Sequence, residues 1–149
     1  MFRAVGRKTQ LEDGMTIRIL LTIDDHIAWE NLRQLIQQHP GLALVAEAAD
    51  IPSAQELTRR LRPDVVVMDI HRPLPEIIRT AKEMIRQVPG VKVITISMQS
   101  DRLYVERSFI SGISGYLMKE SSYEELIPAI RQVVAGKTYL SPEIQMHGL

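Results

Sequence analysis

Asp24, Asp69, Ser97 and Lys119 each stand just past the carboxyl end of an apolar run, and Asp25 follows Asp24 directly. Two carboxylates within reach of one another can hold a hard cation such as Mg²⁺, which prefers oxygen ligands and keeps some of its waters. The cation would offset repulsion between an aspartate nucleophile and an incoming phosphoryl group. Asp69 could then attack phosphorus and carry the group as an acyl phosphate. Lys119 would pair with the phosphate oxygens as a point charge, and the Ser97 hydroxyl would donate to another oxygen. Taken singly, a strand-end acid is usually a solvated turn residue or a helix cap. Placement at four of five strand ends makes the set worth reading as a site.

Alternating elements must position that set. Thr16-Ile17-Arg18-Ile19-Leu20-Leu21 reads as a first strand, and Ile27 to Gln38 repeats apolar residues at helical spacing until Pro40-Gly41. Leu42 to Ala46 predicts a second strand; Ser53 to Leu61 predicts a helix with Ser53-x-x-Glu56 as capping box and Pro63 as stop. Val65-Val66-Val67-Met68 is unbroken apolar sequence, the pattern of a strand covered on both faces. A third helix runs to Val88, a fourth strand covers Val91 to Ile96, and Asp101 caps a fourth helix through Ile110. Tyr116-Leu117-Met118 forms a fifth strand. Ser121-x-x-Glu124 or Ser122-x-x-Glu125 caps a fifth helix to Ala135, with Pro128 inside it. Five βα units with short links predict an α/β fold: a flavodoxin-like, doubly wound, five-stranded parallel sheet of order 2-1-3-4-5 with five helices. Its binding crevice opens at the carboxyl ends of strands one and three.

Composition narrows the functional classes. The 149 residues suit one domain, and 45% hydrophobic content supports a packed core. Eighteen basic residues against 18 acidic ones leave no electrostatic footprint for direct nucleic-acid binding. The absence of cysteine excludes disulfides, thiol catalysis and thiolate metal sites, and fits a reducing, cytoplasmic setting. No apolar run is long enough to span a membrane. Residues 1–15 read as a flexible N-terminal extension, 16–136 as the domain and 137–149 as a C-terminal tail or linker remnant.

IRILLTIDDH (17–26), LVAEAA (44–49), RPDVVVMDI (62–70), SGYLMK (114–119) and GKTYLSP (136–142) together resemble a response-regulator receiver domain of the CheY-like type. The resemblance spans about residues 16–142 and is nearest the NarL/FixJ subclass, usually joined to a LuxR-type helix-turn-helix. It implies a two-component phosphorelay: a histidine kinase partner, Mg²⁺ as cofactor, Asp69 as phosphoacceptor and at most autophosphatase activity rather than enzyme turnover. It implies Asp24 as direct metal ligand, the His71 backbone carbonyl as a further one and Asp25 as an additional candidate. It also implies Ser97 as switch hydroxyl, Lys119 as phosphate-binding lysine and Tyr116 as the aromatic that turns inward on activation. Homodimerisation through helix 4, strand 5 and helix 5, or through helices 1 and 5, and a role in transcription regulation are implied as well. Glu143 to Leu149 alone follow Pro142, too few for a helix-turn-helix.

Two segments depart from the family pattern. An ungapped reading from Ile19 to Ile36 puts Ile23 where the family has its first acid and Asp24 at the second. The loop Arg72-Pro73-Leu74-Pro75-Glu76-Ile77 lacks both glycines of the family's Met-Pro-Gly-x-x-Gly. These departures leave open a degenerate pseudo-receiver acting as a phosphorylation-independent interaction module. A small aspartate-nucleophile phosphatase is a further alternative, with His71 where that class has its general acid.

Overall fold

The computed structural model describes residues 2–4, 16–24, 26–69 and 71–145. Seven strands and six α-helices follow in the order β1 (Phe2–Ala4), β2 (Ile17–Ile23), α1 (His26–Gln38), β3 (Leu42–Ala48), α2 (Ile51–Leu61), β4 (Val65–Asp69), α3 (Leu74–Gln87), β5 (Lys92–Ser97), α4 (Arg102–Ile110), β6 (Gly115–Met118), α5 (Ser122–Val134), β7 (Tyr139–Leu140) and α6 (Pro142–Gln145). The sheet order is β1-β3-β2-β4-β5-β6-β7. Its five inner strands are parallel and reproduce the expected 2-1-3-4-5 order.

The strand count is corrected from five to seven. Phe2–Ala4 pairs antiparallel with β3, within a stretch expected to be a flexible extension; residues 5–15 lie outside the described residues. At the other edge Tyr139–Leu140 pairs parallel with β6, and Ile144 of α6 is buried against Val105, Tyr116 and Met118. Residues 139–144 are therefore part of the packed unit, not a loose tail. Both additions cover a sheet edge whose backbone groups would otherwise be unpaired.

Alternation along the inner strands builds two cores. Ile19, Leu21 and Ile23 of β2 join Val65 and Val67 of β4 under α1 and α5, through Leu32, Ile36, Leu126 and Ile130. Leu20, Val66 and Met68 point the other way and pack on Ala54, Leu57, Ala81 and Met84 of α2 and α3. Both faces of the sheet are thus covered, as the continuous apolar run in β4 requires.

Helix ends differ from expectation in two places. Asp50, not Ser53, caps α2: its carboxylate accepts from the Ser53 amide at 2.8 Å, and the chain enters the helix two residues before Ser53. Pro52 fits there because first-turn amides have no helical partner. No side chain caps α5. A 3₁₀ turn over Lys119–Ser121 leads into it, and the Ser121 hydroxyl donates to Glu143 instead. Asp101 caps α4 as expected, accepting from the Leu103 amide at 2.8 Å. No helix among the described residues is long and apolar enough to cross a membrane.

Candidate functional site

β2, β4 and β6 deliver three of the sequence-selected groups to one place at the carboxyl end of the sheet. Asp69 is the last residue of β4, and its side chain is 1% exposed. Lys119, directly after β6, donates from Nζ to Asp69 Oδ2; its side chain is 23% exposed, so its stem reaches inward from the surface. Asp24 follows β2 and is exposed. Its amide donates to the Asp69 carbonyl at 3.4 Å, and its Oδ2 accepts from the His71 amide at 3.2 Å. The β4–α3 loop is therefore tied back onto Asp24 through the amide of His71.

Electrostatics follow from burial. Loss of solvent pushes the Asp69 carboxyl above its ordinary value, since a buried acid resists ionisation. The Lys119 hydrogen bond and charge pull it back, as does His71, while the neighbouring Asp24 charge adds to the rise. Asp69 thus senses the charge of Asp24. Their oxygens are of the hard type that Mg²⁺ takes, usually from only one or two carboxylates with water completing the shell. No group of three acidic, His or Cys side chains suited to a metal exists among the described residues, so such an ion would need main-chain oxygen and water as well. On donor chemistry the pair fits Mg²⁺.

Ile23 is in the core, 0% exposed, and is the register partner of Asp69. The position beside the carboxylate on that face is hydrocarbon, in line with the ungapped reading of the strand. Asp25 lies outside the described residues.

Ser97 and Tyr116 form a second group, one strand further along. Ser97 ends β5, and its Oγ accepts from the Gln99 amide at 2.9 Å. Tyr116 is 2% exposed and donates its hydroxyl to the Gln99 carbonyl at 2.6 Å. Burial pushes the Tyr116 phenol up, against a hydrogen bond with Ser97 that lowers it. The ring expected to turn inward on activation is already inside. Gln99 escaped the sequence reading because it works through main-chain atoms, which carry no residue-type signal.

Known proteins resemble this chain in sequence and fold. The family described as Response regulator receiver domain matches residues 19–131. The transcriptional regulatory protein DegU of Brevibacillus brevis is 33% identical over 126 residues, covering 84% of this chain and 53% of its own length. The response regulator GacA of Pseudomonas aeruginosa is 32% identical over 126 residues, covering 84% of this chain and 59% of its own. This chain therefore spans little more than half the length of these curated relatives. Among solved structures, a two-component response regulator of the LuxR family from Aurantimonas sp. SI85-9A1 superposes with a TM-score of 0.80 at 37% identity, over 88% of this chain and 94% of that one. The non-phosphorylated receiver domain of RcsB from Escherichia coli shares the fold, with a TM-score of 0.76 at 19% identity, over 84% of this chain and 98% of that one.

Proposed function

Because this chain belongs to the response regulator receiver domain family, we propose that it accepts a phosphoryl group on Asp69 from a histidine kinase and thereby switches a protein-interaction surface. The observation that carries this reading is the Lys119–Asp69 ion pair at the carboxyl end of β4, with the Asp24 carboxylate beside it. An Asp69 oxygen attacks phosphorus, the bond to the donor's leaving group breaks, and an acyl phosphate remains. Lys119 shifts from the carboxylate to the new phosphate oxygens. Asp24, Asp69 and the His71 carbonyl would hold Mg²⁺, with Asp25 as an additional candidate. When bound, the ion neutralises charge between nucleophile and phosphoryl group. Asp24 would offer Oδ1 to the ion while Oδ2 accepts from the His71 amide.

Ser97 acts as the switch hydroxyl by leaving the Gln99 amide for the phosphate. The gain is a population shift set by the phosphate's differential interaction with the two states. Tyr116 starts in the inward position, so the change in this chain falls on Ser97 and the loop to Gln99 rather than on the ring. Exposed apolar side chains support both homodimer faces: Leu103 and Ile110 on α4, and Ile27 and Tyr123 at the starts of α1 and α5. The names of the curated relatives support a role on the input side of transcription control. A cytoplasmic setting follows from the same reading.

Two observations favour a second reading, an interaction module that needs no phosphorylation. Ile23 occupies the place of an acid, and Asp69 is 1% exposed beneath Lys119, so a donor reaches it only if the lysine moves. Intact-mass measurement after incubation with Mg²⁺ and acetyl phosphate separates the two. A gain of one phosphoryl that Asp69→Asn abolishes supports the phosphoacceptor. Unchanged mass selects the interaction module, and sustained turnover of a phosphoester selects the phosphatase.

A further inference from the structure

Beside the Asp69 site, a cleft of about 350 Å³ opens between the start of α3 and α4, with Met68, His71 and Ser97 in its lining. Its size falls within the range of small-molecule sites, roughly 300–1,000 Å³. The cause is local. α4 contributes only Val105 and Ser108 as buried residues, so it seals the sheet poorly on this side. His71, Arg72 and Pro73, which lead into α3, form one side of it.

The lining has a consistent chemistry. Met68, Leu74 and Ile77 supply an apolar wall, Thr95 and Ser97 supply hydroxyls, and Arg72 stands at the rim, exposed. Among the described residues, no aspartate or glutamate lines the cleft. An apolar wall facing a few convergent polar groups is the usual make-up of a ligand pocket. A guanidinium with no competing carboxylate selects for a negative charge and offers it a planar, two-pronged donor.

We propose that this cleft binds a small amphipathic organic anion, an aromatic or alicyclic acid whose ring meets Met68, Leu74 and Ile77 and whose acid group meets Arg72. Binding does not require the Asp69 carboxylate, which does not line the cleft. Ser97 does, so an occupant would touch the residue expected to follow the phosphate.

The full chain, isotopically labelled, is titrated with 1-naphthaleneacetate and with its neutral amide, and amide chemical shifts are followed. The acid is expected to give saturable shifts centred on Ile77, Thr95 and Ser108. The neutral amide is expected to bind roughly tenfold more weakly, about 1.4 kcal/mol. Arg72→Glu, a change at an exposed position, should remove that preference and leave the fold intact; Asp69→Asn should bind as the parent does. The proposal is overturned by shifts that do not saturate, by equal affinity for acid and amide, or by shifts centred on the exposed Leu103–Ile110 face of α4. Shifts that track protein concentration rather than probe would put a second copy in the cleft, and overturn it too.

Discussion

Ile23 faces Asp69 across the β2–β4 ladder as its register partner, and both side chains are shut off from solvent. Register partners in a parallel sheet present their side chains to the same face, so the neighbour of this carboxylate is a hydrocarbon in the α1–α5 core. The first acid of the family pattern is thus replaced by Ile23, while Asp24, at the second acid's position, lies outside the strand and is exposed. Asp69 is left with one strong counter-charge, Lys119, and a dry setting that raises its pKa.

Ile23→Asp restores the absent acid and places a second carboxylate against Asp69. Without metal, an unpaired charge at a fully buried position should lower stability by roughly 2–5 kcal/mol. Mg²⁺ should return part of that loss and bind more tightly than to the parent, because bound ligand stabilises by mass action. Urea unfolding of both proteins with and without Mg²⁺ measures this. A variant whose midpoint ignores Mg²⁺ would show that these oxygens do not form an ion site.

Asp69→Asn should stabilise the protein at neutral pH, by about 1 kcal/mol. The sign follows from linkage. A folded-state pKa above the unfolded one means the native chain binds the proton more tightly, so stability falls as pH rises from 3.8 through the raised value. Asparagine cannot ionise and escapes that fall. Its advantage should vanish when both proteins are unfolded below pH 3.8, where Asp69 is protonated in either state. A parent whose stability climbs across that interval, once corrected by the variant's own curve, contradicts the assigned direction.

The inner architecture was legible because β4 is apolar without interruption and because each helix ends at a Pro-Gly, Pro or Gly signal. Asp24, Asp69 and Lys119 were legible for the same reason: strand ends are where a parallel sheet gathers polar groups. The edges were not. Phe2–Ala4 and Tyr139–Leu140 are strands only because a long-range partner offers free backbone groups, and segments of three and two residues hold no readable period. Capping failed at Ser53 because Asp50 competes for the same amide, a contest decided by where the chain turns after β3. The inward ring of Tyr116 depends on a main-chain carbonyl, to which residue types are blind.

Two of the four tyrosines should resist ionisation. Tyr139 donates to Glu125 Oε1 at 3.0 Å, and burial together with that carboxylate pushes its phenol up to about 12. Tyr116 is raised chiefly by burial, with the charges of Tyr104 and Asp101 adding to it and the hydrogen bond with Ser97 opposing. Phenolate absorbance in an alkaline titration should show a late component, and Tyr139→Phe should remove amplitude from it. Because both phenols are raised above the ordinary value of 10.0, stability should fall as pH rises through 10.0 toward 12. Late amplitude unchanged in Tyr139→Phe would reverse the assignment.

Ile144→Ala tests whether the carboxyl-terminal segment is structural. The side chain is 1% exposed and packs on Val105, Tyr116 and Met118. Around it, Ser141 donates its amide to the Tyr116 carbonyl at 3.1 Å, and its Oγ accepts from the Met118 amide at 2.9 Å while donating to Glu125 at 2.8 Å. Removing the Ile144 side chain should cost about 2 kcal/mol, the low end for a buried Ile→Ala change, since a four-residue helix can settle into the space. The loss should be local. Hydrogen exchange should quicken at Met118 and Ser141, whose amides depend on this clasp, and stay slow at Val66 and Val67 in the centre of the sheet. Equal acceleration at all four amides would mean that α6 is bound into the global unfolding unit. No acceleration at Met118 would mean that the Ser141 hydroxyl is held without help from Ile144.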